Sequence, residues 1–108
     1  MSFVEVAKTT DITNGQMKAI NVESKKILIM NYDGKYFAIN GRCTHMGGEL
    51  VKGKLEGKIV TCPRHGAQFD VTTGSCIRRP RIGLFRPKSK DIVTYEVKVE
   101  SDSVKVKL

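Results

Sequence analysis

Hydrophobic and polar positions alternate in short runs along the first forty residues. Segments 3–7, 16–22, 26–32 and 35–40 are rich in Val, Ile, Tyr and Phe and are separated by turn residues, a pattern that predicts four β-strands. Asp33-Gly34 between the last two predicts a tight hairpin, because a type I′ turn needs positive φ at both central residues and Asp-Gly accepts it at little cost. The C-terminal end repeats the pattern. From Ile92, residues Val93, Tyr95, Val97 and Val99 fall on one face and Thr94, Glu96, Lys98 and Glu100 on the other, which predicts one long strand. Ser101-Asp102 turns it, and Val104, Val106 and Leu108 line the returning strand. No stretch sustains a 3.6-residue period over three turns. The expectation is an all-β antiparallel sandwich or small barrel, with Tyr32, Tyr36, Phe37 and Phe69 in its core.

The middle of the chain breaks this pattern. Residues 41–90 hold most of the ten glycines, all three prolines, all three cysteines and both histidines. This distribution predicts a smaller, loop-rich subdomain carried on a scaffold formed by residues 1–40 and 91–108, the usual arrangement for a site. With 108 residues the chain is expected to form a single domain. Its start lacks a basic segment followed by an apolar stretch, and no run of about 18 apolar residues occurs. A cytoplasmic protein without a membrane span is therefore expected. In a reducing compartment, three cysteines point to metal binding or buried thiols rather than disulfides.

Two boxes concentrate the chemistry: Cys43-Thr44-His45-Met46-Gly47-Gly48 and Cys62-Pro63-Arg64-His65-Gly66, with 16 residues between His45 and Cys62. Two thiolates and two imidazoles suit zinc or an iron–sulfur cluster. A zinc finger or ribbon usually begins with two cysteines two to four residues apart, so that one knuckle serves one ion. Here each loop supplies one Cys and one His, an arrangement suited to a dinuclear cluster in which one iron takes both cysteines and the other both histidines. A zinc-stabilised nucleic-acid-binding domain is the remote alternative; the spacing is wrong for a finger, and no aromatic stacking motif accompanies the basic residues.

These boxes, followed by Phe69-Asp70 and Thr73-Gly74, resemble the Rieske [2Fe–2S] family, in particular its soluble, low-potential ferredoxins. The resemblance is densest over residues 41–74 and implies a Rieske-like fold with one [2Fe–2S] cluster per chain. It also implies that Cys43 and Cys62 hold the inner iron, and that His45 and His65 hold the outer one. Gly47, Gly48 and Gly66 would let backbone amides approach the cluster, Pro63 would stiffen the second loop, and Pro80 with its neighbours would shield one side. In the respiratory-complex branch each loop carries a further cysteine, and the two form a disulfide; the matching positions here are Gly48 and Arg64. That branch also places hydroxyl donors where this chain has Ala67 and Phe69. Their loss implies a potential in the lower part of the Rieske span of about −150 to +300 mV. Cys76 is expected to be structural.

The activity implied is one-electron transfer from a reductase to an oxygenase or other redox partner, not catalysis. A second reading is a small Rieske-type subunit of a nitrite reductase or of a ring-hydroxylating dioxygenase system. Charge bears on the partner. The chain's net charge is +8, and residues 42–90 account for all of it, with eleven basic and three acidic residues. Arg42, Arg64, Arg78, Arg79 and Arg81 are candidates for docking an acidic protein surface, since a concentrated field raises encounter rates. The third loop, from Arg78 to Lys90, looks longer than is common in ring-hydroxylase ferredoxins.

Overall fold

In the computed structural model, which describes residues 3–44 and 48–108, the chain forms eleven strands in three antiparallel sheets. No α-helix occurs among the described residues, so none is long and apolar enough to cross a membrane. The N-terminal strands are β1 (Phe3–Lys8), β2 (Met17–Val22), β3 (Lys25–Tyr32) and β4 (Lys35–Asn40), within one residue of the expected bounds. Asp33 and Gly34 have φ of 54° and 84°, the paired positive values that the β3–β4 turn demands.

Strand β3 is the centre of the molecule. Ile27 and Ile29 join one core cluster with Ala7, Ile12, Ala38, Val104 and Val106, while Leu28 and Met30 join another with Ile39, Leu50, Val60, Phe69, Val71 and Ile92. Both faces of the strand are therefore covered, and its apolar run is unbroken because neither face meets water. The buried Asn31 that ends this run donates from its amide to the Ile12 carbonyl at 3.0 Å and accepts from the Gly34 amide at 2.9 Å, so its polar group is satisfied.

The expected C-terminal strand is two strands. β9 (Thr94–Tyr95) adds to β2-β3-β4 beside β4, whereas β10 (Val97–Glu100) pairs with β11 (Ser103–Lys107) in a sheet ordered β1-β11-β10. The chain changes sheets at Glu96, whose carbonyl accepts the Lys107 amide at 2.9 Å. The alternation runs through the corner without a common face: Val93 and Val99 are exposed, and the buried residue is Ile92. Of the four aromatic residues expected in the core, Phe69 is fully buried, and Tyr32, Tyr36 and Phe37 are half-buried.

The middle segment contains a sheet of its own, built from β5 (Lys54–Glu56), β6 (Ile59–Thr61), β7 (Gln68–Asp70) and β8 (Cys76–Arg78) in that order. It packs on the face of the β2-β3-β4-β9 sheet opposite β1, β10 and β11, so the expected all-β antiparallel scaffold carries the middle segment as a third layer. Gly74 locks it to the scaffold. Its carbonyl accepts the Ile92 amide at 2.7 Å, its φ is 83°, and a Cβ there would lie 2.4 Å from the Ile92 carbonyl oxygen. Gly74→Ala combines a disfavoured φ with a backbone collision and is expected to cost at least about 2 kcal/mol in denaturant unfolding; a loss within experimental error would contradict this packing.

Candidate metal centre

Two loops of equal closure carry the cysteine boxes. In the first, the Cys43 amide donates to the Gly48 carbonyl at 2.8 Å, just inside an antiparallel bridge between Arg42 and Glu49. In the second, the Cys62 amide donates to the Ala67 carbonyl at 2.7 Å, just inside the Thr61–Gln68 pair of β6 and β7. Both loops thus have a cysteine bonded to the carbonyl five residues on, at the same register relative to the flanking pair. Cys43 and Cys62 are 3% and 2% exposed and belong to one core cluster, between the β2-β3-β4-β9 sheet and the β5-β6-β7-β8 sheet.

The loops touch at Gly48. A Cβ there would sit 3.1 Å from Cys62 Sγ and 3.3 Å from Arg64 Cγ and Cδ, so glycine keeps the space over the sulfur open. Gly48 and Arg64, the positions matched to the second cysteines of the respiratory branch, do face each other, and no disulfide joins the described cysteines. Gly66 is required for a different reason: its φ of 75° turns the second loop. His65 is half-buried, with its Nδ1 buried, and Pro63 is exposed at the loop's rim. His45 and Gly47 lie outside the described residues. Among those described, no three Cys, His, Asp or Glu side chains converge to hold a single ion.

A third segment bridges both loops. The Arg81 amide donates to the His65 carbonyl at 2.8 Å, and the Thr44 hydroxyl donates to the Lys90 carbonyl at 2.7 Å. Residues 81–90 thus span from the second loop to the first, and Pro80 is buried beneath one end. The exposed arginines divide between two clefts. Arg42 and Arg64 line one with Glu49, Lys52 and Pro63, and Arg78 and Arg81 line another beside His65 and Gly66. Arg79 is exposed at the base of the arch, and its carbonyl accepts from Arg86 at 2.9 Å. Cys76 sits apart on β8, packed against the core, its thiol 3.5 Å from the Arg78 carbonyl.

Two buried thiols, an imidazole with a buried nitrogen and a glycine that sets no side chain against the sulfur fit a thiolate–imidazole cluster. Over residues 2–96 the chain matches the Rieske [2Fe–2S] domain. It belongs to the Rieske [2Fe–2S] family. Among similar proteins, the ferredoxin component of the naphthalene 1,2-dioxygenase/salicylate 5-hydroxylase systems of a Ralstonia species is 34% identical, covering 99% of this chain and 96% of that protein. The ferredoxin component of the Pseudomonas putida naphthalene 1,2-dioxygenase system is 32% identical over 100% of this chain and 97% of its own length. The solved structure of a Sphingomonas yanoikuyae B1 ferredoxin superposes with a TM-score of 0.84 at 27% identity, covering 99% of each chain. This Rieske protein is accordingly a ferredoxin, an electron carrier with a [2Fe–2S] cluster rather than an enzyme.

Glu49 braces the first loop of the Rieske site. It pairs with Lys26 on β3 and, at 3.1 Å, with Lys52; the Lys26 hydrogen bond is the main cause of its pKa falling from 4.5 to about 2, with Lys52 second. A carboxylate depressed in this way stabilises the fold fully above its unfolded value of 4.5, and that stabilisation fades as pH falls towards 2. Glu49→Gln is expected to lower the thermal midpoint near neutral pH, with the gap from wild type closing on acidification; a gap independent of pH would contradict the ion pair.

Proposed function

We propose that this ferredoxin is the shuttle of a multicomponent oxygenase system, taking one electron at a time from a reductase and delivering it to a ring-hydroxylating oxygenase. The observation that carries the reading is the pair of equally closed loops whose cysteines share one buried core. Cys43 and Cys62 would hold one iron, and His45 and His65 the other. The cluster supplies a reversible one-electron couple. The chain's own residues do the rest: the core excludes water from the thiolates, Gly48 puts no side chain against Cys62 Sγ, and the 81–90 segment fixes both loops. The family resemblance and the third sheet support a single domain, 1–108, with residues 41–90 as its cluster-binding part.

The partners are chosen on the relatives' names and on charge. Similar proteins serve naphthalene, 2,4-dinitrotoluene and biphenyl dioxygenase systems, and a ferredoxin–oxygenase complex from carbazole 1,9a-dioxygenase includes a chain 26% identical to this one. A basic carrier suits acidic docking surfaces on both the reductase and the oxygenase, and nothing in the loops favours nucleic acid. We place the protein in the cytoplasm, in keeping with its unbridged thiols.

Three measurements test this reading. The purified holoprotein is expected to be red-brown; Cys62→Ser should abolish the visible bands, while Cys76→Ser leaves them intact. Ala67 and Phe69 are both buried and lack hydroxyls, so the midpoint is expected in the lower part of the span of about −150 to +300 mV; a value well above about +100 mV would contradict the missing-donor argument. The second-order rate of electron transfer to the oxygenase should fall as salt rises. A colourless protein, or a reduced one inert towards any oxygenase of its own cell, would overturn the assignment.

A further inference from the structure

Most surface apolar residues here are half-covered, but Leu84 and Phe85 are 95% and 76% exposed. They do not lie on a loose loop. Ile82 and Phe85 exchange two backbone hydrogen bonds, at 2.8 and 2.9 Å, closing a two-residue turn over Gly83 and Leu84 with Gly83 at a φ of 60°. Arg81 Nε donates to the Gly83 carbonyl at 3.1 Å, and Arg86 Nη1 reaches back to the Arg79 carbonyl at 2.9 Å. A fixed turn that presents two large apolar side chains to solvent is unexplained by folding, which would bury them.

Its surroundings indicate what covers it. Residues 71–90 contain six Lys and Arg and no Asp or Glu, so the tip stands in a one-signed collar. The same arch is anchored to the His65 carbonyl through the Arg81 amide, and Arg81 and Arg86, which flank the turn, line one cleft with His65, so a protein seated on the tip lies beside the His65 loop. A lipid surface there would obstruct the protein that must exchange the electron, whereas a docked redox protein would use that face. We propose that the Gly83-Leu84 turn is a rigid docking knob: Leu84 and Phe85 seat in an apolar depression rimmed by Asp and Glu on the electron-accepting oxygenase. Apolar anchors inside a charged ring match the energetic anatomy of protein interfaces, the collar speeding encounter and the anchors slowing release. The inference rests on the proposed function and deepens it by naming the contact.

The test compares wild-type holoprotein with Leu84→Ser/Phe85→Ser, using the oxygenase and the reductase purified from the same organism. The side chains are exposed, so the variant should keep its visible spectrum and its reduction by dithionite. The expected result is at least a tenfold rise in KM for the ferredoxin in oxygenase turnover, a gap that persists at about 0.5 M salt because neither substitution alters charge. An unchanged KM alongside an active wild type overturns the knob and leaves the proposed function standing. Impairment confined to reduction by the reductase overturns the assignment to the acceptor. Binding of wild type, but not the variant, to phosphatidylglycerol vesicles with oxygenase kinetics unchanged makes the tip a lipid contact and overturns it also. A wild type that holds its cluster yet transfers nothing to the oxygenase removes the proposed function and the knob together.

Discussion

The placement of Cys43 and Cys62 in the apolar core between the β2-β3-β4-β9 sheet and the small β5-β6-β7-β8 sheet governs the rest of the site. Each cysteine is the first residue of a loop whose closing hydrogen bond continues a bridge or strand pair, so each sulfur inherits its position from a hairpin rather than from the loop beyond it. Packing against Leu28, Leu50 and Phe69 in the same cluster then fixes the two hairpins relative to each other. Functional atoms held in this way by packed neighbours and backbone bonds stay close to one geometry, and that spares reorganisation when the charge on the site changes. The absence of a side chain at Gly48 is the complementary requirement: the core buries the sulfur, and a Cβ at Gly48 would crowd it at 3.1 Å.

Charge is arranged by the same logic at larger scale. A loop carrying six cations and no anion repels itself, and nothing among its own side chains neutralises it. The structure holds it by hydrogen bonds to its backbone instead, from the Arg81 amide to the His65 carbonyl at one end and from the Thr44 hydroxyl to the Lys90 carbonyl at the other, while two of its arginines donate to carbonyls within the arch. The guanidinium groups remain at the surface. The repulsion that would loosen a free loop becomes a field fixed in position beside the cluster loops.

The strands of the scaffold were legible in the sequence, and the two Cys/His boxes stood out, because each has a strong local signal. The alternation and the Asp33-Gly34 turn located β1 to β4, and the scarcity of histidine made its pairing with cysteine conspicuous. The third sheet was not legible, since its strands have three residues each and too few positions to establish alternation. The C-terminal alternation misled for the opposite reason: it is regular across Glu96, but a change of sheet is a long-range event with no local mark. The run Ile27-Leu28-Ile29-Met30 did carry a usable sign of burial on both faces, which separates a three-layer molecule from a two-layer one. The exposure of Leu84 and Phe85 is legible only in three dimensions, because an apolar pair in sequence reads as core.

Strands this short do not hold a sheet together by their own ladders, so the third sheet depends on what it packs against. It is tied to the scaffold by the Gly74–Ile92 bond and the Cys76 amide's bond to Asp91 on one side, and by the core cluster containing both cysteines on the other. The cysteines proposed to hold the cluster are therefore also residues that attach this sheet to the scaffold. Ligand atoms that contribute to packing couple metal binding to folding, since any distortion that separates the thiols also separates the layers. The linkage runs in both directions, and it gives the carrier a physical reason to keep its core rigid while its two most exposed large apolar side chains among the described residues, Leu84 and Phe85, are set at the tip of the arch, where they cost the packing nothing.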